Sequence, residues 1–364
     1  MLKNLKKFKV LVFIISCVGI ISLTGCASSS EKKEVKDSQP VTREVTDMSG
    51  RKVTIPTKVN KVCSLSNNTT VDLYTLAPDK LVGLSFAPKP EAKKYLDEKY
   101  FNLPVIGTTS DKKLDYESIL KLKPDLIVCS DEDDVYPADD IQKQLNIPVI
   151  KVATELESTD KVYEFLGDCL GEPKKAKELA DYSRTALDKI KALVQKIPDD
   201  KKVKVYYAEG ATGLQTDVSG NVHTEVLDFV GGKNVADISE IKTGSMVNVS
   251  MEQVLSWNPD VILEGATATK GDFYNKVCDD PNWSGIKAVK DKMIYKIPSL
   301  PFNLFDRPPS VARILGVQWL ANLLYPQYVN LNINKEIKDF YKNFYNYNLT
   351  DEEVQDLVKN ATGK

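Results

Sequence analysis

Short β-branched runs alternate with helical stretches through the first half of this chain. Residues 59–65 predict a strand, 69–76 a helix and 81–84 a strand, and 105–106, 125–129 and 149–152 predict further strands. Strands separated by helical crossovers predict a parallel α/β sheet. Residues 160–196 then carry a helical pattern with a break at Gly171-Glu172-Pro173. Beyond the break, Ala176, Leu179, Ala180, Ala186, Leu187, Ile190, Leu193 and Val194 recur on one face. The spacing predicts an amphipathic helix over 174–196, roughly 35 Å long at about 1.5 Å per residue. After Ile197-Pro198 the alternation restarts, with strands over 203–207, 261–263 and 293–297 and a helix over 224–229. The pattern predicts two α/β lobes, 41–165 and 198–364 (the latter with C-terminal helices), joined by a backbone helix within 166–197.

An internal repeat supports two related lobes. Residues 114–128 (LDYESILKLKPDLIV) match residues 249–263 (VSMEQVLSWNPDVIL) at a constant offset of 135, with Glu, Leu, Pro, Asp and Ile in place. Each copy reads as a capped helix stopped before proline and followed by a buried strand, and Ser250 with Gln253 suits a capping box.

Composition narrows the function. Hydrophobic residues make up 42% of the chain and charged residues 27%, which are globular values. The net charge of -2 is spread over 49 basic and 51 acidic residues without a basic stripe, so nucleic acid is not an expected partner. Lys3, Lys6, Lys7 and Lys9 precede an apolar run over 10–23, too short for a spanning helix of ~20 residues and suited to a secretory signal. Leu23-Thr24-Gly25-Cys26 resembles a bacterial lipobox. That resemblance implies a lipid on Cys26, a signal peptide over 1–25 and a flexible tether over 26–40. Cys63, Cys129, Cys169 and Cys278 remain, without a Cys-x-x-Cys pair or neighbouring His, so zinc and redox motifs are not expected. Cys63 and Cys129 end apolar runs; they read as buried small hydrophobes or as a bridge between adjacent strands.

Several further segments carry a family resemblance: 47–56 (DMSGRKVTIP), 77–83 (APDKLVG), both repeat copies, 231–236 (GGKNVA), 281–295 (PNWSGIKAVKDKMIY), 307–316 (RPPSVARILG) and 319–326 (WLANLLYP). In this order the chain resembles the solute-binding proteins of bacterial ABC importers. Within these it is similar to the iron-chelate and vitamin B12 group, the class III periplasmic binding proteins, whose Rossmann-like lobes are bridged by one rigid helix. The resemblance implies no enzyme and no intrinsic cofactor, but a metal-chelate ligand carried to a permease dimer and its ATPase by a monomer. Iron complexes, ferric siderophores above all, are the commonest expectation; haem, corrinoid and molybdate or tungstate suit the same scaffold. A Lys-rich chain with one short signal suggests a Gram-positive surface over a periplasm.

Ligands of open α/β sheets sit beyond the carboxyl ends of the strands. The expected ligand-binding residues are therefore Ser66, Asn67, Asn68, Ser85, Phe86 and Thr108 in the first lobe, and Glu209, His223, Phe302, Phe305 and Arg307 in the second. Helix starts after Asn68 and His223 would offer free N–H groups to an anion. His223, the single histidine, reads either as a metal ligand through a bound chelate, as catecholate-siderophore binders imply, or as a helix-start residue with no metal role. Arg307 lies in the proline-rich stretch 301–309; it reads as an oxyanion receptor flanked by Phe302 and Phe305, or as the structural partner of Asp306. Glu117 and Glu252 are repeat-equivalent acids. The B12-binding relatives imply docking to permease arginines, and a first-turn acid is also favoured by the helix macrodipole. The acidic run 131–134 with Asp139-Asp140 lacks the Gly and Glu of an EF-hand and reads as a solvated rim. Tyr341, Tyr345 and Tyr347 read as packing residues. With one histidine and no nucleophile elbow, His-Glu-x-x-His or phosphate loop, a secreted enzyme is disfavoured. A surface adhesin would lack a ligand cleft.

Overall fold

The computed structural model describes residues 41–109, 114–132, 137–236, 246–267, 271–359 and 361. The expected signal, Cys26 and the tether lie outside them, as do positions 133 and 134 of the acidic run. Among the described residues no helix is long and apolar enough to cross a membrane.

The first described element is a hairpin that the sequence reading does not predict: β1 (Thr42–Thr46) and β2 (Lys52–Pro56) pair antiparallel. Its turn is built by Asp47, whose Oδ1 accepts from Ser49 N and Arg51 N, and by Gly50 at φ +81°. Asp47 Oδ2 also accepts from Lys151 N, which fastens the turn against the sheet that follows.

That sheet contains β3 (Val62–Ser64), β4 (Leu81–Gly83), β5 (Leu126–Ser130) and β6 (Val149–Val152), all parallel in the order β4-β3-β5-β6. The helices of this lobe are α1 (Asn67–Leu76), α2 (Tyr116–Leu122) and α3 (Ala138–Leu145). Every residue of β5 and β6 is buried, the signature of strands covered on both faces. The strand expected at 105–106 is a single bridge, Leu84 to Val105. Pro104 has no N–H, so it can lend this edge only its carbonyl, which accepts from Leu84 N.

Two helices connect the lobes. α4 (Thr159–Leu170) ends at Gly171, φ +70°, and α5 (Pro173–Val194) starts on a proline, which the first turn tolerates because no partner for its N–H is lost. α5 is 22 residues, about 33 Å. It buries Ala176, Leu179, Ala180, Ser183, Leu187, Ile190 and Val194 against α4 and a C-terminal helix.

The second sheet contains β7 (Lys204–Ala208), β9 (Lys233–Asn234), β11 (Val261–Glu264) and β12 (Ile294–Lys296), parallel in the order β12-β11-β7-β9. A small antiparallel ribbon of β8 (Gln215–Thr216) and β10 (Val247–Asn248) stands beside it. Its helices are α6 (Glu225–Phe229), α7 (Met251–Trp257), α8 (Phe273–Lys276) and α9 (Lys287–Lys290). The chain closes with α10 (Ala312–Leu324), α11 (Ile333–Tyr345) and α12 (Asp351–Val358). α10 is buried almost all round, and α11 packs back on the first lobe, touching α1 and setting Tyr341 on Tyr95 and Phe344 on Tyr163 of α4.

The repeat is visible in atomic detail. α2 and α7 are each seven residues, capped by Asp115 and by a Ser250–Gln253 capping box. Both end on a left-handed residue before proline, Lys123 and Asn258. The following aspartate then ties the copy to its neighbouring strand: Asp125 Oδ2 accepts from Lys61 N, and Asp260 Oδ2 from Lys204 N. Cys63 and Cys129 are both buried and not joined in a disulfide, and burial pushes the Cys63 thiol up to about 12. They lie on adjacent strands but not opposite each other: Cys63 of β3 is in register with Ile127 of β5, and Cys129 with Lys151 of β6.

Candidate functional site

The carboxyl ends of the strands face a cleft made of two cavities that share Asn67, His223 and Pro309. The larger, 840 Å³, is lined by Ser66, Asn68, Thr108, Ser130, Thr154 and the 220–223 turn, among others. The smaller, 610 Å³, is lined by Phe86, Lys89, Phe302, Asp306 and Arg307, among others.

On the first lobe the site is built from hydroxyls at strand ends. Ser66, the residue before α1, accepts on Oγ from Ser130 N at 2.8 Å, which joins the ends of β3 and β5. Ser130 Oγ in turn contacts Thr154 Oγ1. α1 has no acidic residue in its first turn, and its N-terminal end opens on the larger cavity, so this wall favours negative charge. Ser85 does not reach the cavity; it is buried and donates to Asn67 Oδ1 at 2.9 Å, which orients the amide above it. Phe86 meets Phe302 across the cleft edge-on, with centroids 6.4 Å apart.

The second lobe presents a buried ionic cluster. Arg307 Nη1 lies 3.2 Å from Glu209 Oε1, its Nη2 donates to Asp217 Oδ2 at 3.0 Å, and Nη1 also binds Asp306 Oδ2. All three carboxylates are fully buried. His223 Nδ1 is 3.3 Å from Asp306 Oδ2 but off the angle of a hydrogen bond. Among the described residues, Glu209 Oε2, Asp217 Oδ1, His223 Nδ1 and Asp306 Oδ1 have no hydrogen-bond partner. Burial, with the adjacent Asp217 carboxylate, pushes Glu209 well above the ordinary carboxylate range. Burial and the Arg307 charge lower His223, which keeps its imidazole neutral and able to ligate a metal. Arg307 is thus the partner of Asp306, and of two more acids that the sequence reading did not attach to it. Two expected ligand-binding residues lie elsewhere. Phe305 is fully buried, 4.9 Å from the ring of Tyr207, because Asn303 Oδ1 turns the loop inward by accepting from Phe305 N and Asp306 N. Glu209 sits beneath Arg307 and does not line the cavities.

A second buried network crosses between the lobes and was not anticipated. Glu225 of α6 accepts from Leu156 N of the first lobe at 3.1 Å. Arg313 of α10, almost fully buried, binds both Glu225 and the carbonyl of Thr154. Asp72 of α1 lies within the Arg313 field, and burial raises it to about 7. Arg313 lies in the resemblance segment 307–316 and is one of five arginines in the chain, but neither signal gave it a role. Glu117 and Glu252, by contrast, are exposed on the first turns of α2 and α7, away from the cleft.

Residues 62–301 match the family described as periplasmic binding protein. The molybdate-binding protein MolA of Haemophilus influenzae is 30% identical over 335 residues, covering 83% of this chain and 91% of that protein. The high-affinity heme uptake system protein IsdE of Staphylococcus aureus is 27% identical, covering 79% and 89%. An ABC transporter solute-binding protein from Sulfurospirillum deleyianum superposes with a TM-score of 0.80 at 30% identity, covering 87% and 99%. With two parallel-sheet lobes bridged by α5 and a cleft at their strand ends, the chain belongs to the periplasmic binding protein family, in the class that serves ABC importers.

Proposed function

We propose that this chain is a lipid-anchored extracytoplasmic receptor that captures a metal chelate, with a ferric complex as the first candidate, and hands it to an ABC importer. The observation that carries the ligand class is His223: the single histidine stands where the two cavities meet, neutral, with Nδ1 free of a hydrogen-bond partner among the described residues. Phe86 and Phe302 give the smaller cavity apolar edges suited to an organic chelator. No turnover is assigned to the chain.

Delivery is proposed to run through α2 and α7. Glu117 and Glu252 are exposed, and so are Leu120 and Leu255, at 50% and 40%, again at the repeat offset. Exposed leucines three residues after an exposed acid, twice, suit a partner that offers each lobe the same charged and apolar contact. The lipid on Cys26 and a Gram-positive surface complete the reading.

A second reading, an oxyanion such as molybdate, is favoured by the likeness to MolA and by the α1 N-terminus at the cleft. The experiment that separates the two is thermal unfolding of protein starting after Cys26, with ferric siderophores, haem, cobalamin, molybdate and tungstate. A ligand at 100 times its dissociation constant adds about 2.7 kcal/mol. Stabilisation by a ferric chelate supports the proposal; stabilisation by molybdate alone refutes it in favour of the oxyanion.

A further inference from the structure

The floor of the cleft holds side chains that an organic ligand alone leaves unsatisfied. Asp217 follows β8, His223 precedes α6, and Asp306 lies in the loop between β12 and α10. One ligand atom from each lies within 4.8 Å of the others. Asp217 and Asp306 are fully buried, and each keeps one carboxylate oxygen without a hydrogen-bond partner among the described residues, as His223 keeps Nδ1. Buried polar atoms are normally paired, so three unpaired ones gathered at and behind the wall of the smaller cavity, which His223 and Asp306 line with Asp217 beneath them, call for a partner. A cation fits that place. Every donor atom left over is a lone pair, and the single guanidinium present is shared among three carboxylates. An oxyanion placed here would meet carboxylates in excess of positive charge.

We propose that Asp217, His223 and Asp306 bond directly to the metal ion of the transported ligand, and that Arg307 is the counter-ion of the empty site, not an anion receptor. One imidazole nitrogen and two carboxylate oxygens suit a hard or borderline ion such as Fe(III), Co(II) or Ni(II), and leave its other positions to the chelator. The guanidinium holds the two carboxylates in place without the metal and competes with it when it arrives. This inference rests on the reading that the cargo carries a metal.

The test uses the chain from residue 27 onward with Co(II) chloride as a bare-metal probe, read by calorimetry and by Co(II) absorption, and with a ferric chelate that stabilises the wild type. Asp306→Asn and His223→Ala should each weaken Co(II) binding at least tenfold and change its visible bands. Arg307→Gln should leave Co(II) affinity unchanged or raise it several-fold, since a competitor is removed. A tenfold loss of Co(II) binding in Arg307→Gln, or its full retention in Asp306→Asn, overturns the proposal. Should Arg307→Gln fail to fold by circular dichroism, the Asp306→Asn and His223→Ala spectra decide alone. Ferric-chelate binding undiminished in an Asp217→Asn/Asp306→Asn double variant defeats only this inference. A wild type that binds neither a ferric chelate nor Co(II) defeats the metal-cargo reading as well.

Discussion

Gly316 is the point where the helix scaffold meets the site loop, and Gly316→Ala sets two effects of opposite sign against each other. The residue lies within α10, where alanine in place of glycine favours the helix by roughly 1 kcal/mol. A Cβ built there, however, falls 1.9 Å from the carbonyl oxygen of Leu304, whereas real Cβ contacts stay beyond 3.0 Å. Helix and loop must therefore separate by about 1 Å. Neither obstacle is a rotatable side chain: one is the helix axis, the other the main chain two residues from Asp306. Overpacking of this kind costs roughly 1–3 kcal/mol, and with backbone on both sides the upper part of that range applies. The clash wins, for a net loss of roughly 1–2 kcal/mol. For a chain of this size the midpoint should fall by roughly 1.5–3 °C in a circular-dichroism melt. The displacement also moves Asp306 and Arg307, so ligand affinity should fall with it. A variant as stable as the wild type, or more so, would show that helix propensity prevails and that the Leu304 contact yields freely.

Arg313→Ala should cost roughly 3–5 kcal/mol in urea unfolding, because it strands Glu225 and Asp72 without their cation. Adding Asp72→Asn should recover part of that loss, and a single-variant cost under 1 kcal/mol would refute the network. Burial raises the Glu209 pKa in the folded state, so the folded chain holds this proton more tightly than the unfolded chain. The linked stability is complete below the unfolded value of about 4.3 and is lost as pH rises through the folded value, by up to about 1.4 kcal/mol per pH unit. Urea midpoints from pH 5 to 9 should therefore fall less in Glu209→Gln than in the wild type, and parallel profiles contradict the assignment. Replacing Glu117 and Glu252 together by Ala should leave ligand affinity intact and abolish uptake in cells; lost affinity would place them in the binding site instead.

The two-lobed framework was legible because parallel strands buried on both faces write themselves as continuous apolar runs, as in β5 and β6. The break at Gly171 and Pro173 was equally plain, since left-handed and proline positions are set by local sterics. The opening hairpin escaped notice: its strands are only five residues each, the adjacent Arg43 and Glu44 interrupt the alternation of the first, and its turn rests on the Asp47 carboxylate, not on an Asn-Gly pair. At the site, His223 and Arg307 stood out by rarity. Of their carboxylate partners, Asp306 was legible as the chain neighbour of Arg307 and Glu209 as a strand-end residue, but Asp217 is one ordinary acid among 51, and only the fold brings all three to one guanidinium. Phe302 and Phe305 show the same limit. In an irregular loop no period tells which aromatic faces the cavity, and here the Asn303 side chain decides it.

The matched anchoring of α2 and α7, each fixed by an aspartate to the strand beside it, bears on orientation. A single chain that displays the same helix twice can be gripped by a two-fold partner as though it were a homodimer, and it can also be gripped after half a turn. On a permease of two identical subunits those placements are equivalent, so every collision of the right face is productive. On a permease of two different subunits they are distinct, and the repeated residues cannot tell them apart. Choice between them would then fall to the parts of the surface that the two lobes do not share.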